Sequence, residues 1–132
     1  MDKSLIARGL AGLVALFLLY IGLRYTFTPD ALSGQIAITA NDAFGASNIR
    51  AMGAPMMALG ILTGIGAVKG VFEFLIPAPL YFLMLIVTRI VSIVTEGSDP
   101  GITRALILAI VFFVITEVAA QLVKRAKKAD VQ

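Results

Sequence analysis

Residues 51–68 read AMGAPMMALGILTGIGAV, without one charged side chain, and Arg50 and Lys69 bracket them. A helix of that length rises about 27 Å, close to the ~30 Å hydrocarbon core of a bilayer. Thr63 is the stretch's one polar side chain, so such a helix has no face to turn to water. Three further stretches share the pattern. Residues 9–27 are uncharged up to Leu23 and continue past Arg24; residues 74–95 are uncharged up to Thr88 and continue past Arg89; residues 105–123 are uncharged up to Thr116 and continue past Glu117. The sequence therefore predicts a single all-α domain, a bundle of four transmembrane helices at about 9–27, 51–68, 74–95 and 105–123.

Composition supports this reading. Of the 132 residues, 59% are hydrophobic and 14% charged, against about 25% charged in soluble domains, and the mean hydropathy is +0.96. There is too little polar surface to coat a water-soluble globule of this size, so the lipid bilayer is the expected partner. The chain has no Cys and no His, which removes disulfides, thiolate nucleophiles, Cys/His zinc sites, His-ligated haem and histidine proton relays. No serine elbow, phosphate-cradling glycine loop or acidic metal cluster stands in the sequence. The expectation is a non-enzyme without metal or cofactor. The net charge of +3 does not point to nucleic acid, because the basic residues gather at span ends rather than on a surface interleaved with aromatics.

The connections differ. Residues 28–50 form a long loop, in which Thr28-Pro29-Asp30 is a stop followed by a cap and residues 31–36 are candidates for a short interfacial helix. Residues 41–42 and 45–48 read as turn material. Residues 69–73 make a tight turn, and Pro77 and Pro79 suit a first helical turn. Residues 96–101, Glu-Gly-Ser-Asp-Pro-Gly, are the clearest turn. Residues 124–132 read as a frayed basic tail. The first span is expected to stay in place rather than be cleaved as a signal peptide, since Arg24 and a long gap separate it from the weak cleavage-like residues 31–33.

Four spans return the C-terminus to the side of the N-terminus. That side holds Lys3, Arg8, Lys69, Lys124, Arg125, Lys127 and Lys128; the opposite side holds Arg24, Arg50, Arg89 and Arg104. The bias puts both termini in the cytoplasm. The second span is rich in small residues, with Gly53, Gly60 and Gly64 near one face. They suit close helix packing, within this chain or against a homo-oligomer or membrane-protein partner.

Arg89 is the most informative polar residue. It lies roughly 9 Å inside its span, where an ionisable group is a functional-site hypothesis by default. It competes with a snorkelling arginine paired to Glu96 or Asp99. Arg50 and Arg104 stand at the starts of the second and fourth spans, where a cation opposes the helix dipole. Together with Arg89 they make a focus for a small anion or an anionic lipid. Alternatively, Asp30, Asp42, Glu96 and Asp99 neutralise the four arginines of that side in a closed network. Glu117 is the other intramembrane charge, about 10 Å from the termini side and too far in depth to pair with Arg89. With Gln121 and Lys124 it forms a polar stripe. It is a snorkelling carboxylate, a buried neutral acid, or the coupling acid of a small transporter.

Residues 47–54, Ser-Asn-Ile-Arg-Ala-Met-Gly-Ala, resemble the E-I-R-A-x-Y-G-G start found in an uncharacterised family of small bacterial four-helix membrane proteins, a domain of unknown function broadly similar to DoxX-like proteins. Phe27-Thr28-Pro29, and Arg89 followed by Glu96-Gly97, also resemble that family. Asn48 stands where an acid is common, and Met52-Gly53-Ala54 replaces Tyr-Gly-Gly. The resemblance implies four helices and a bacterial inner membrane, with no known activity. Three functions stand as expectations: binding of a small anionic or lipidic ligand near the periplasmic face through Arg50, Arg89, Arg104, Glu96 and Asp99; an accessory or assembly role in a larger membrane complex; and transport using Glu117.

Overall fold

The computed structural model describes residues 2–32, 41 and 43–131. Helix α1 (Lys3–Phe27) is followed by the single turn α2 (Pro29–Leu32), then by α3 (Ala43–Lys69), a 3₁₀ turn (Phe72–Phe74), α4 (Pro77–Glu96) and α5 (Pro100–Asp130). Four helical segments are long and apolar enough to cross a membrane. The protein is an all-α, four-span membrane bundle.

Local chemistry sets the helix ends. Asp2 caps α1 by accepting from the Ser4 amide at 3.0 Å. At the other end Thr28 donates to the Arg24 carbonyl from both its amide and its hydroxyl, and Pro29 cannot continue the ladder. Helix α3 stops at Gly70, whose φ of +65° lets the Val71 amide reach back to the Gly66 carbonyl at 3.2 Å. Pro77 and Pro79 sit in the opening turn of α4, where an amide has no helical partner to lose. Asp99 caps α5 by accepting from the Gly101 amide at 2.7 Å, with Pro100 at the first helical position.

The helices extend beyond the expected apolar spans: α1 begins at Lys3 rather than near residue 9, and α5 at Pro100 rather than near residue 105. Helix α3 begins at Ala43 rather than near residue 51, so residues 45–48 are helical and not a turn. Helix α5 runs on to Asp130, so residues 124–130 are ordered helix and not a frayed tail. Hydropathy marks where the hydrocarbon ends, whereas a helix ends where its hydrogen bonds end. Residues 124–129, Lys-Arg-Ala-Lys-Lys-Ala, are strong helix formers that carry α5 beyond the apolar zone. At about 46 Å, α5 is well over the thickness of the hydrocarbon core. Of the interfacial helix expected at 31–36, residues 31–32 are helical, in a turn that already begins at Pro29 and so includes Asp30 rather than being capped by it; residues 33–36 lie outside the described residues, as does Asp42.

The helices pack in the order α3, α1, α5, α4. The α1–α3 seam is the most extensive, α4–α5 and α1–α5 follow, and α3 and α4 touch little. Large apolar side chains such as Leu13, Leu16, Ile61, Val94, Ile107 and Val114 point outward, as expected where lipid is the solvent. The half nearest the termini is closed by small residues: Ala7, Ala11, Ala67, Ala119 and Ala120 are buried together with Leu75 and Val123. Farther along, the interior becomes aromatic around Leu18 and Phe82.

Candidate functional site

Beyond that aromatic layer the bundle does not close. A cavity of about 250 Å³ lies among α1, α4 and α5, with Met56 of α3 at its margin. Each wall is a helical stripe. Phe17, Ile21 and Tyr25 recur every four residues on α1, and Tyr81, Leu85 and Arg89 do the same on α4. On α5 the wall is Ala105, Leu108, Ala109 and Phe112. The stripes span about 12 Å along the helices, in the half of the membrane away from the termini. The floor is stacked rings: Phe112 lies 4.6 Å from Phe17 and 5.3 Å from Phe82, centroid to centroid, with near-parallel planes. Tyr81 meets Phe82 edge to face at 5.5 Å.

Arg89 supplies the only formal charge in this lining. It is half-buried, and among the described residues it forms no hydrogen bond and no ion pair. Tyr25 and Tyr81 line the same space as Arg89. Two phenols and a guanidinium thus converge on a space that is otherwise hydrocarbon. A guanidinium offers five N–H donors and no acceptor. What the site can do chemically is hold an acceptor-rich head while covering an apolar body.

The other sequence candidates fall elsewhere. Arg50 is not at a helix start, because α3 begins at Ala43; its Nε donates to the Thr26 carbonyl of α1 at 3.2 Å. Arg8, at the opposite end of the same seam, donates from Nε to the Ala67 carbonyl at 2.7 Å and from a terminal nitrogen to the Val68 carbonyl. Antiparallel α1 and α3 therefore each give an arginine to carbonyls in the other's last turn, where the helix dipole is negative. Arg8 carried no sequence signal beyond its charge; only the packing partner reveals its role. Arg104 is exposed and lines a separate groove with Ser98, Pro100, Thr103 and Ile107. Asp99 is occupied in capping α5, and Glu96 is exposed at the end of α4. Neither pairs with Arg89. Of Arg50, Arg89 and Arg104, Arg89 alone lines the cavity, and among the described residues no arginine of that end forms an ion pair with an acid. The one ion pair among the described residues joins Lys127 to exposed Glu73 at 3.9 Å, on the termini side.

A family model described as Domain of unknown function (DUF4345) matches residues 6–121. The chain belongs to this family. The DUF4345 match overlaps all four spans and takes in every wall of the cavity. No curated protein and no solved structure matches the sequence.

Glu117 does not line the cavity. It is half-buried on α5, and its Oε1 accepts from Gln121 Nε2 at 2.8 Å, one turn along. The glycines divide by role. A Cβ placed on Gly53 would lie 2.5 Å from the Gly22 carbonyl oxygen and 2.5 Å from Thr26 Oγ1; one on Gly60 would lie 2.7 Å from Leu19 and 3.0 Å from the Ala15 carbonyl oxygen. Both glycines face α1 within this chain. Gly64 would meet only the Ala15 side chain at 3.7 Å, an ordinary contact. Gly66, which with Gly70 forms a further small-residue pair at helical spacing, is also tight, and so is Gly22 of α1, which the sequence did not mark. Gly22 meets Met57, and Gly66 meets Leu75.

Proposed function

We propose that this membrane protein binds a small amphiphile in the Arg89 cavity, with the anionic or acceptor-rich head on Arg89 and the apolar body against Phe17, Phe82 and Phe112. The observation that carries the reading is the half-buried Arg89 guanidinium, which faces an aromatic-lined space with no partner among the described residues. A cation in a low-dielectric surrounding gains more from an anion than it would in water. At about 250 Å³ the space lies below the usual 300–1,000 Å³ of drug-sized sites, so it suits a compact head with a single chain or ring. In this proposal the host is a bacterial inner membrane with both termini cytoplasmic, as the basic residues around Lys124 and Lys3 favour. The cavity then lies in the periplasmic half, open to ligands from the outer leaflet.

The test is thermal unfolding of the purified protein in detergent with and without a medium-chain carboxylate and its methyl ester. The carboxylate is expected to raise the midpoint of the wild type but not of Arg89→Ala, and the ester to act weakly on both. An equal rise in wild type and Arg89→Ala overturns the proposal.

A further inference from the structure

We propose that the cleft between the 3₁₀ turn Phe72–Phe74 and the last turns of α5 is a second binding site, for the phosphate of an anionic phospholipid headgroup. It stands at the opposite end of the bundle from Arg89 and is independent of the reading given to that cavity. The cleft, of about 580 Å³, is lined by Phe72, Glu73, Lys124, Lys127, Lys128 and Val131. On α5 the spacing of 124, 127, 128 and 131 is i, i+3, i+4, i+7, so three ammonium groups share one helical face. Glu73 is the only acid in the lining, which leaves an excess of positive charge.

The position favours a lipid. The apolar part of α5 ends at Val123, which is buried in the core against Ala7 and Ala120. Lys124 is the next residue and opens the charged run, so the cleft begins at headgroup depth. Its lining combines the lysines with the Phe72 ring. Lys124 Nζ stands 4.9 Å from the centre of the Phe72 ring, a cation–π contact between two residues of the lining. Lys128 forms no ion pair among the described residues. The Lys127–Glu73 pair is 3.9 Å long and mostly exposed, the kind of ion pair that adds little stability and is readily exchanged for a stronger anion. A phosphate then has Lys124 and Lys128 as partners and Lys127 as a third. The glycerol and upper chain run down past Phe72 toward the hydrocarbon. Clusters of lysine at the end of a span recognise anionic headgroups in this way.

The experiment is native mass spectrometry of the full chain from mild detergent, titrated with phosphatidylglycerol, phosphatidylcholine or soluble glycerol 3-phosphate. Phosphatidylglycerol is expected to bind, phosphatidylcholine to bind at least ten-fold more weakly, and glycerol 3-phosphate not to be retained. Lys124→Gln and Lys128→Gln should each weaken phosphatidylglycerol binding by about five-fold, while Lys69→Gln, outside the cleft, leaves it unchanged. Glu73→Gln should tighten binding, because it frees Lys127; a purely structural Glu73–Lys127 pair predicts no gain. Equal losses from Lys69→Gln and Lys124→Gln would show diffuse surface attraction and overturn the site. Retention of glycerol 3-phosphate as strong as that of the lipid would overturn the lipid assignment.

Discussion

Substituting Gly53 with alanine puts a methyl carbon 2.5 Å from the Gly22 carbonyl oxygen and 2.5 Å from Thr26 Oγ1, with Tyr25 Cβ at 3.2 Å. The Gly22 carbonyl is backbone and cannot swing aside. Thr26 is also fixed, because its hydroxyl donates to the same Gly22 carbonyl at 2.9 Å. The α1–α3 seam must open to admit the methyl, and this is the most extensive seam in the bundle. Overpacking of this kind costs about 1–3 kcal/mol. The upper half of that range applies where backbone and a hydrogen-bonded side chain both block the way. Against it stands the gain of roughly 1 kcal/mol from replacing glycine by alanine inside a helix. The net expectation for Gly53→Ala is a loss of about 1–2 kcal/mol. Gly64→Ala meets only the Ala15 side chain at 3.7 Å, and Gly9→Ala meets nothing within 4 Å; both should be neutral or stabilising by up to about 1 kcal/mol. Thermal unfolding in detergent, followed by circular dichroism, ranks the three variants. Gly53→Ala as stable as Gly64→Ala would refute the claim that the seam is held by backbone approach at Gly53.

Other perturbations separate structural polar groups from ligand-binding ones. Arg8→Ala removes charge-assisted donors from the Ala67 and Val68 carbonyls and should cost about 2 kcal/mol; unfolding midpoints of Arg8→Ala and Arg8→Lys check it, with the lysine variant intermediate. Asp99→Ala removes the α5 cap and should cost about 1 kcal/mol while leaving carboxylate-induced stabilisation intact in the same thermal assay. Thr63 is buried, and its hydroxyl has no hydrogen-bond partner among the described residues. Thr63→Val should therefore be neutral or stabilising by about 1 kcal/mol, as read from the unfolding midpoint.

The four spans were legible because charge is expensive in hydrocarbon, so each span shows as a charge-poor run whatever its packing. The helix ends were less legible for the same reason. Residues 124–130 are helical but polar, and residues 43–50 mix Ser47, Asn48 and Arg50 with Gly45 and apolar side chains; hydropathy does not distinguish such helical ends from loops. Arg50 was misplaced by this effect. Taken as the first turn of a helix, it looked like a cation opposing a dipole. Set two turns inside α3, it serves the negative end of α1 instead. Glycine spacing pointed to α3 as a packing helix, but its partner stripe lies on α1. There Ala7, Ala11 and Ala15 repeat every four residues, and Gly22 follows near the far end. The rows Phe17-Ile21-Tyr25 and Tyr81-Leu85-Arg89 were likewise visible as four-residue repeats. That they face each other across a cavity depends on the order of helices in the bundle, which no local pattern specifies.

The two ends of the bundle are built from different residues, and this decides where a ligand can enter. Alanines at 7, 11, 67, 119 and 120 let the helices approach closely near the termini, and close approach leaves no interior volume. Toward the other end the facing residues become Phe17, Tyr25, Tyr81 and Phe112. Rigid rings of this size hold the helices apart and cannot fill the space evenly. A void lined only by rings would be dry and inert. The Arg89 guanidinium changes that, because a half-buried cation without a counter-charge is a cost to the fold unless something supplies the missing acceptor. An anionic amphiphile supplies it and fills the apolar remainder at once. The same reasoning makes Arg89→Met the sharper control: it keeps an unbranched side chain against the rings and removes the cost, so it should stabilise the empty protein while abolishing the carboxylate-induced rise. A variant less stable than wild type without ligand would mean that Arg89 already has its acceptor.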